Sequence, residues 1–214
     1  MKMRLIERVY LRLLEQSSTE NLAVFDTATD RTRTAYIYDP QAVDPESEPG
    51  SAARGYISIR QPVEPCNKAW IVVGSWGRGL GDVVYPIGFA LSPSGRLISD
   101  RGSASIGAMS RWQIYYDDRG WKKLPIDDVE HPPENASDFH DKHHTEKTSD
   151  DCRAYAIEKP ALDYLNYTYD PKGRLSEFRS NLQSMRDLHE KTMESMFGSD
   201  GPTREQFEKA VMKA

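Results

Sequence analysis

AWIVVGSWGRGLGD, residues 69–82, sets an apolar run of strand length against Gly77, Gly79 and Gly81 at every second position and closes on a charge, after which VVYPIGFAL (83–91) resumes the apolar character. Bare backbone loses more freedom on folding than any other, so glycines here need a turn, a close approach or a ligand to explain them. Strand, glycine-rich turn and helix is the order in which backbone N–H groups and the positive end of a helix dipole converge on an anion. A P-loop requires Lys followed by Ser or Thr at the helix start, where Asp82 and Val83 stand instead. A dinucleotide fingerprint, G-x-G-x-x-G, fails at Asp82 when counted from Gly77 and at Val84 when counted from Gly79. What remains is a phosphate cradle of another kind or a glycine turn that holds no ligand, and this stretch alone fits both.

The chain around it has 214 residues, enough for one core with appendages. Its net charge of -5, with 28 Lys and Arg spread along the chain, makes nucleic acid an unfavoured partner, because neutralising phosphates takes a concentrated basic face. Two cysteines, Cys66 and Cys152, are too few for a disulfide framework, and no apolar run approaches the roughly 20 residues of a membrane span. A soluble, thiol-reduced protein with no membrane partner is expected. Charges interrupt the apolar positions of MKMRLIERVYLRLLEQ, so the start of the chain reads as an amphipathic helix over residues 2–16 rather than a signal peptide.

NLAVFDTA and RTAYIYD, separated by polar TDRTR, predict a hairpin. PQAVDPESEPGSAA (40–53) reads as a surface loop, GYISIRQP (55–62) as a half-buried strand and KAWIVVGSW (68–76) as an interior one. DVVYPIGFALS predicts a short helix kinked or ended early by Pro86, and GRLISD (95–100) a further strand. SASIGAMSRWQIYYDD (103–118) reads as a helix, 125–150 as a long loop, and ALDYLNYTYD (161–170) as an alternating strand. Leu175, Phe178, Leu182 and Met185 predict one long helix from Arg174 to Phe197 whose register fades at His189 and Thr192. A capping box at Thr203 and Gln206 opens another helix. The expected division is therefore 1–173 as an α+β domain and 174–214 as a helical appendage.

Several segments taken together resemble the GNAT-like N-acyltransferases encoded by tailed bacteriophages. They are Cys66, Asn67, Ala69, Trp70 and Val72; Gly79, Gly81 and Tyr85; Asp100, Arg101, Ser105, Ala108, Trp112, Tyr115 and Tyr116; Asp150, Asp151 and Cys152; and Leu165, Asn166 and Tyr167. The likeness covers about residues 55–170. It implies the GNAT fold, a mixed, mainly antiparallel sheet flanked by helices and splayed open after the strand that precedes the glycines, with acetyl-CoA or another acyl-CoA in the splay. RGLGD (78–82) then stands where such enzymes carry their pyrophosphate loop, R-G-x-G, so that Val73, Gly77, Arg78, Gly79, Leu80 and Gly81 are the expected cofactor-binding residues.

Transfer of this kind needs a route for the proton of the acceptor amine and an acid, commonly Tyr, for the leaving thiolate. The resemblance makes Tyr115 or Tyr116 that acid; adjacent positions on a helix point apart, so one of them at most can serve. Two departures bear on activity: AWIVVGSW has Ile71 and Val73 where a carboxylate base often stands, and Trp76 replaces the usual Arg or Gln three residues before Gly79. Two functions are open on these grounds. One is an acyltransferase acting on an amine; the other is an inactive fold of the same kind that serves as a virion or accessory protein, binding phage or host proteins, or itself, through 174–197. Either is expected in the host cytoplasm or carried in the virion. FHDKHHTEKTSDDC gathers His140, His143, His144, Asp150, Asp151 and Cys152 without a recognised zinc spacing, so no metal is expected.

Overall fold

The computed structural model describes residues 21–43, 52–62, 68–77, 79–99, 106–126 and 167–197. They form an α+β structure: an open seven-stranded sheet in the order β1-β2-β3-β4-β5-β7-β6, with helices that cover it. The expected amphipathic helix at 2–16, the capping box at Thr203 and Gln206, and the loop beyond Ile126 lie outside the described residues, as does the first part of the strand expected at 161–170.

The hairpin forms as alternation requires: β1 (Ala23–Ala28) and β2 (Thr32–Tyr38) pair antiparallel, and β3 (Ala53–Arg60) follows on β2. Val24, Ala35, Ile37, Ile57 and Ile59 share one face and are buried together in the main core. The other face carries a row of aromatics in direct register, Phe25 opposite Tyr36, Tyr36 opposite Tyr56 and Tyr56 opposite Trp76. Phe25 and Tyr36 are stacked with centroids 5.0 Å apart, the kind of cross-strand pair that stabilises a sheet.

β4 (Trp70–Trp76) pairs with β3 through a register shift in which Ile59 faces Val72 and Ser58 faces Gly74, leaving Val73 without a partner on β3. This bulge reverses the alternation. Val72, opposite Ile59, and Ser75, opposite Ile57, come to the core-side face, although they are three residues apart. On its other side β4 meets β5 (Leu97–Ile98) in parallel, through only Trp70 with Leu97 and Ile71 with Ile98. Past Ile71 the two strands show no further pairing among the described residues. β5 in turn joins β7 (Tyr167–Asp170), whose outer neighbour is β6 (Lys122–Pro125). β6 was not expected from the sequence; four residues, KKLP, are too few to show alternation, and two lysines and a proline suit the exposed edge they occupy.

Between β4 and β5 the chain forms α1 (Gly81–Leu91), whose Val84, Tyr85, Ile87, Phe89 and Leu91 are buried on the sheet. Of the kink or early end expected at Pro86, the early end does not occur: the proline sits at the middle of the helix and removes one backbone donor there, and the buried residues after it hold the last turns on the core. Gly88 lets the helix sit close, since a Cβ there would come within 2.5 Å of Ile57 Cδ1. α2 (Ile106–Asp117) places Trp112 and Tyr115 in the same core, beside Trp121.

α3 (Leu175–Phe197) is the long helix expected as an appendage, and its first half contributes Phe178 and Leu182 to the main core. It then passes along the edge strand β1: Arg186 grips Asp26 with two hydrogen bonds of 2.7 Å. Farther on, Leu188 and Met193 lie against Phe25 and Tyr38 on the opposite face of the sheet. His189 and Thr192, where the apolar register fades, are buried, and His189 Nδ1 is 2.9 Å from the Tyr38 hydroxyl. The polar positions are thus the ones that meet polar groups of β2. Leu182→Ala is expected to cost about 2–5 kcal/mol in urea unfolding. Removal of residues 174–214 is expected to give insoluble protein, since it strips the main core of two buried side chains; a monodisperse 1–173 fragment in light scattering would contradict this seating of the helix.

Candidate functional site

Each glycine of the opening stretch has its own physical reason. A Cβ at Gly77 would meet Val84 Cγ2 at 2.7 Å, so this glycine lets the turn close onto α1. Gly79 has φ of +76°, a conformation unfavourable for residues with a Cβ, and nothing lies within 4 Å of where its Cβ would point. A Cβ at Gly81 would stand 2.7 Å from Arg111 Nη2 and 3.0 Å from Nε, so the start of α1 is bare in order to receive a guanidinium. Gly79 alone faces open space. Leu80 is the N-cap; its own N–H bonds to the Gly77 carbonyl at 3.1 Å, and its carbonyl accepts from Val83 and Val84 at 2.9 Å. Among the described residues no side chain caps the helix, and of its first-turn N–H groups those of Val83 and Val84 are met by that Leu80 carbonyl.

These residues border a cavity of about 380 Å³, within the range of roughly 300–1,000 Å³ usual for small-ligand sites. Its walls are the end of β4 (Ser75 and Trp76), the glycine turn, Val84 and Tyr85 of α1, and Gly107, Ala108 and Arg111 of α2. The bulge at Val73 matters here, because it turns Ser75 toward α1, where its Oγ lies 3.2 Å from the Tyr85 hydroxyl. Tyr85 is held from behind by Trp112, edge to face at 5.3 Å. Burial raises its phenol above the ordinary value, and the hydrogen bond with Ser75 and the charge of Arg111 offset part of that rise. Arg111, 17% exposed, forms an ion pair with Asp82 of the first turn of α1, which is 48% exposed. Directly past β5, Ser99 has a buried hydroxyl with no hydrogen-bond partner among the described residues; continuing the parallel register sets it beside Val72.

Of the residues expected to bind a cofactor, Gly77, Gly79 and Gly81 line the cavity. Leu80 packs on the main core, Val73 is 38% exposed at the bulge, and Arg78 lies outside the described residues. Tyr115 is fully inside the aromatic core, its ring 4.1 Å from that of Trp121, and burial raises its phenol well above the ordinary value. Tyr116 points the other way, to Tyr167 at 5.4 Å, with the Lys123 ammonium 5.2 Å from its ring centroid. Neither tyrosine is among the residues that border the cavity. The phenol that does border it is Tyr85, four residues after Gly81 and hence on the same helix face, a spacing readable in the sequence. Arg111 had no such signal, because its partner is 29 residues away. Cys66, Asn67, Asp100, Arg101, Ser105, Asp150, Asp151, Cys152, Leu165 and Asn166 lie outside the described residues, as does the histidine cluster at 140–144.

The chain matches no protein-family model, no curated protein and no solved structure. Among the described residues no helix is long and apolar enough to cross a membrane, and no three His, Cys, Asp or Glu side chains are grouped to hold a metal.

The three glycines make distinguishable predictions in thermal or urea unfolding. Gly77→Ala is expected to destabilise by about 1–3 kcal/mol through overpacking and Gly79→Ala by about 1–2 kcal/mol through its left-handed backbone; equal, negligible effects would contradict this geometry. A second prediction concerns pH. Tyr38, Tyr85 and Tyr115 are all raised above the ordinary phenol value of 10.0 by burial. A raised pKa in the folded state favours the protonated fold, so this contribution is complete below pH 10 and is lost as pH rises from there through the raised values. Stability is therefore expected to fall above pH 10, less steeply in Tyr115→Phe than in the parent; identical slopes would refute it.

Proposed function

We propose that the protein is an acyl-CoA-dependent N-acyltransferase of the GNAT kind, as its resemblance to the phage-encoded family implies. The observation that carries the reading is that, among the described residues, the pairing of β4 with β5 stops at Ile71, with a cavity, a glycine turn and the start of α1 just past the end of β4. A mainly antiparallel sheet with one parallel pair, opened at that pair, is what the resemblance leads one to expect. The diphosphate of the acyl-CoA is held at Gly79, where the backbone is bare and faces open space, and at the first turn of α1 beside Arg111. The acyl arm runs back along β4 past Ser75 toward Val73, and the Ser99 hydroxyl, without a partner among the described residues, stands on the β5 side.

Tyr85 is the acid in this scheme. Its burial keeps the phenol protonated at neutral pH, and the hydroxyl is at the cavity beside Ser75. As the acceptor amine forms its bond to the acyl carbon and the carbon–sulfur bond breaks, the Tyr85 proton passes to the sulfur. Arg111 lowers the cost of the phenolate, which regains a proton from the amine through solvent. One observation favours the second reading, an inactive fold that works through protein contacts. Among the described residues bordering the cavity there is no carboxylate or imidazole to act as base. The enzyme then acts on amines already neutral, or the protein binds acyl-CoA without transfer.

Acetyl-CoA at millimolar concentration is expected to raise the melting temperature, and Gly79→Glu to abolish the rise by placing a carboxylate in the diphosphate position. No rise in the parent would sink the acyl-CoA reading. With an amine acceptor, Tyr85→Phe is expected to lower kcat about a hundredfold at unchanged acetyl-CoA affinity, while Tyr116→Phe stays near the parent. Binding without any transfer supports the second reading.

A further inference from the structure

Arg111, on the border of the cavity, forms a charged pair with Asp82 that the scheme above leaves without a ligand role. We infer that Arg111 is the phosphate-binding side chain of this site, and that Asp82 holds it in the ligand-free protein as an internal substitute for that phosphate. For the identity of the ligand this rests on the acyl-CoA reading; for the chemistry of the contact it rests on the geometry.

Arg111 crosses from α2 to lie over the first turn of α1, so near that Gly81 has no room for a Cβ beside Nη2. The glycine that would otherwise be credited to ligand approach is there for the guanidinium. A guanidinium cannot shed its charge, so at 17% exposure it needs an anion in every state of the protein. Its planar set of donors suits a phosphate held by two hydrogen bonds. Without ligand, Asp82 meets that need from the same helix turn. The pair is unequal: the carboxylate is 48% exposed and loses little by turning to water, whereas the guanidinium is mostly enclosed and stays. A diphosphate entering beside Gly79 carries more charge than the carboxylate and meets both Arg111 and the start of α1. It therefore displaces Asp82, and the carboxylate's charge opposes its binding throughout.

The test is calorimetric titration of the full chain with two probes separately, inorganic pyrophosphate and acetyl-CoA, in the parent and in Asp82→Asn, Asp82→Ser, Arg111→Lys and Arg111→Gln. Pyrophosphate is expected to bind the two Asp82 variants about fivefold to tenfold more tightly than the parent, since a like charge has gone. Arg111→Gln is expected to bind it at least tenfold more weakly, with Arg111→Lys between, because an ammonium keeps the charge but loses the paired donors. Should Arg111→Gln not fold, the two substitutions of the half-exposed Asp82 decide alone. Weaker or unchanged binding in both Asp82 variants overturns the inference, as does absence of pyrophosphate binding in the parent and both Asp82 variants. The failures are distinguishable. Pyrophosphate binding that follows the expected order, with no acetyl-CoA binding, supports Arg111 as the phosphate ligand and removes the acyl-CoA reading. Acetyl-CoA binding indifferent to all four substitutions does the reverse.

Discussion

Among the described residues β4 is joined to β5 by two backbone pairs, Trp70 with Leu97 and Ile71 with Ile98, and much of the structure depends on how little they hold. Among the same residues β5 is tied to β7 at Leu97 with Tyr169. Hydrogen bonds alone would leave the β1–β4 half and the β7–β6 half weakly joined. The aromatic core makes up the difference: Trp112 meets Tyr169 at 5.1 Å from the second half and Tyr85 at 5.3 Å from the first, while Phe89 of α1 reaches Trp121 at 4.8 Å. Contacts of this kind add to the large area such rings bury. The helices thus hold together a sheet whose β4–β5 pairing stops at Ile71 among the described residues, and the cavity lies past the end of β4.

The same economy explains why β4 carries a bulge. A regular strand would turn Val72, Gly74 and Trp76 to α1 together, setting the indole of Trp76 against the helix. With Val73 left out of the pairing, Ser75 comes to that face instead, and Trp76 joins the row of Tyr36 and Tyr56 on the other. One skipped residue thus gives the cavity a hydroxyl to orient Tyr85, and leaves Trp76, at the end of β4, 48% exposed. Gly74 belongs to the same arrangement, since a Cβ there would stand 3.2 Å from the Tyr56 hydroxyl.

Local pattern made the sheet legible where one face is buried and the other is not, as in β1 to β3, and made α1 legible as the helix after the glycines. It failed where order comes from distant partners. Arg186 finds Asp26 across 160 residues and Tyr38 finds His189 across 151, so a helix whose apolar register fades reads as an appendage although its polar positions are what bind it to the sheet edge. Alternating glycines marked the site, but their spacing could not tell a left-handed turn from contact with Val84 or with Arg111. Tyr115 and Tyr116 drew attention as a pair on a helix; burial puts one in the core and the other over β7, while Tyr85, on the helix before them, reaches the cavity.

Electrostatics joins the site to the stability of the fold. α1 begins at an N-cap with no capping side chain, so the partial positive charge of its first turn is left for something else to satisfy. Asp82 does so from within the turn, which makes the helix self-sufficient when no anion is present, and Arg111 then keeps that carboxylate close to the helix end. The arrangement stabilises α1 at some cost to the affinity of any phosphate that comes to the same place. A Ser or Asp N-cap at position 80 would remove the need for Asp82 but would fill the turn with a polar side chain where Leu80 now packs on the core. The helix is therefore anchored by an apolar residue that packs on the core and neutralised by a half-exposed carboxylate above it.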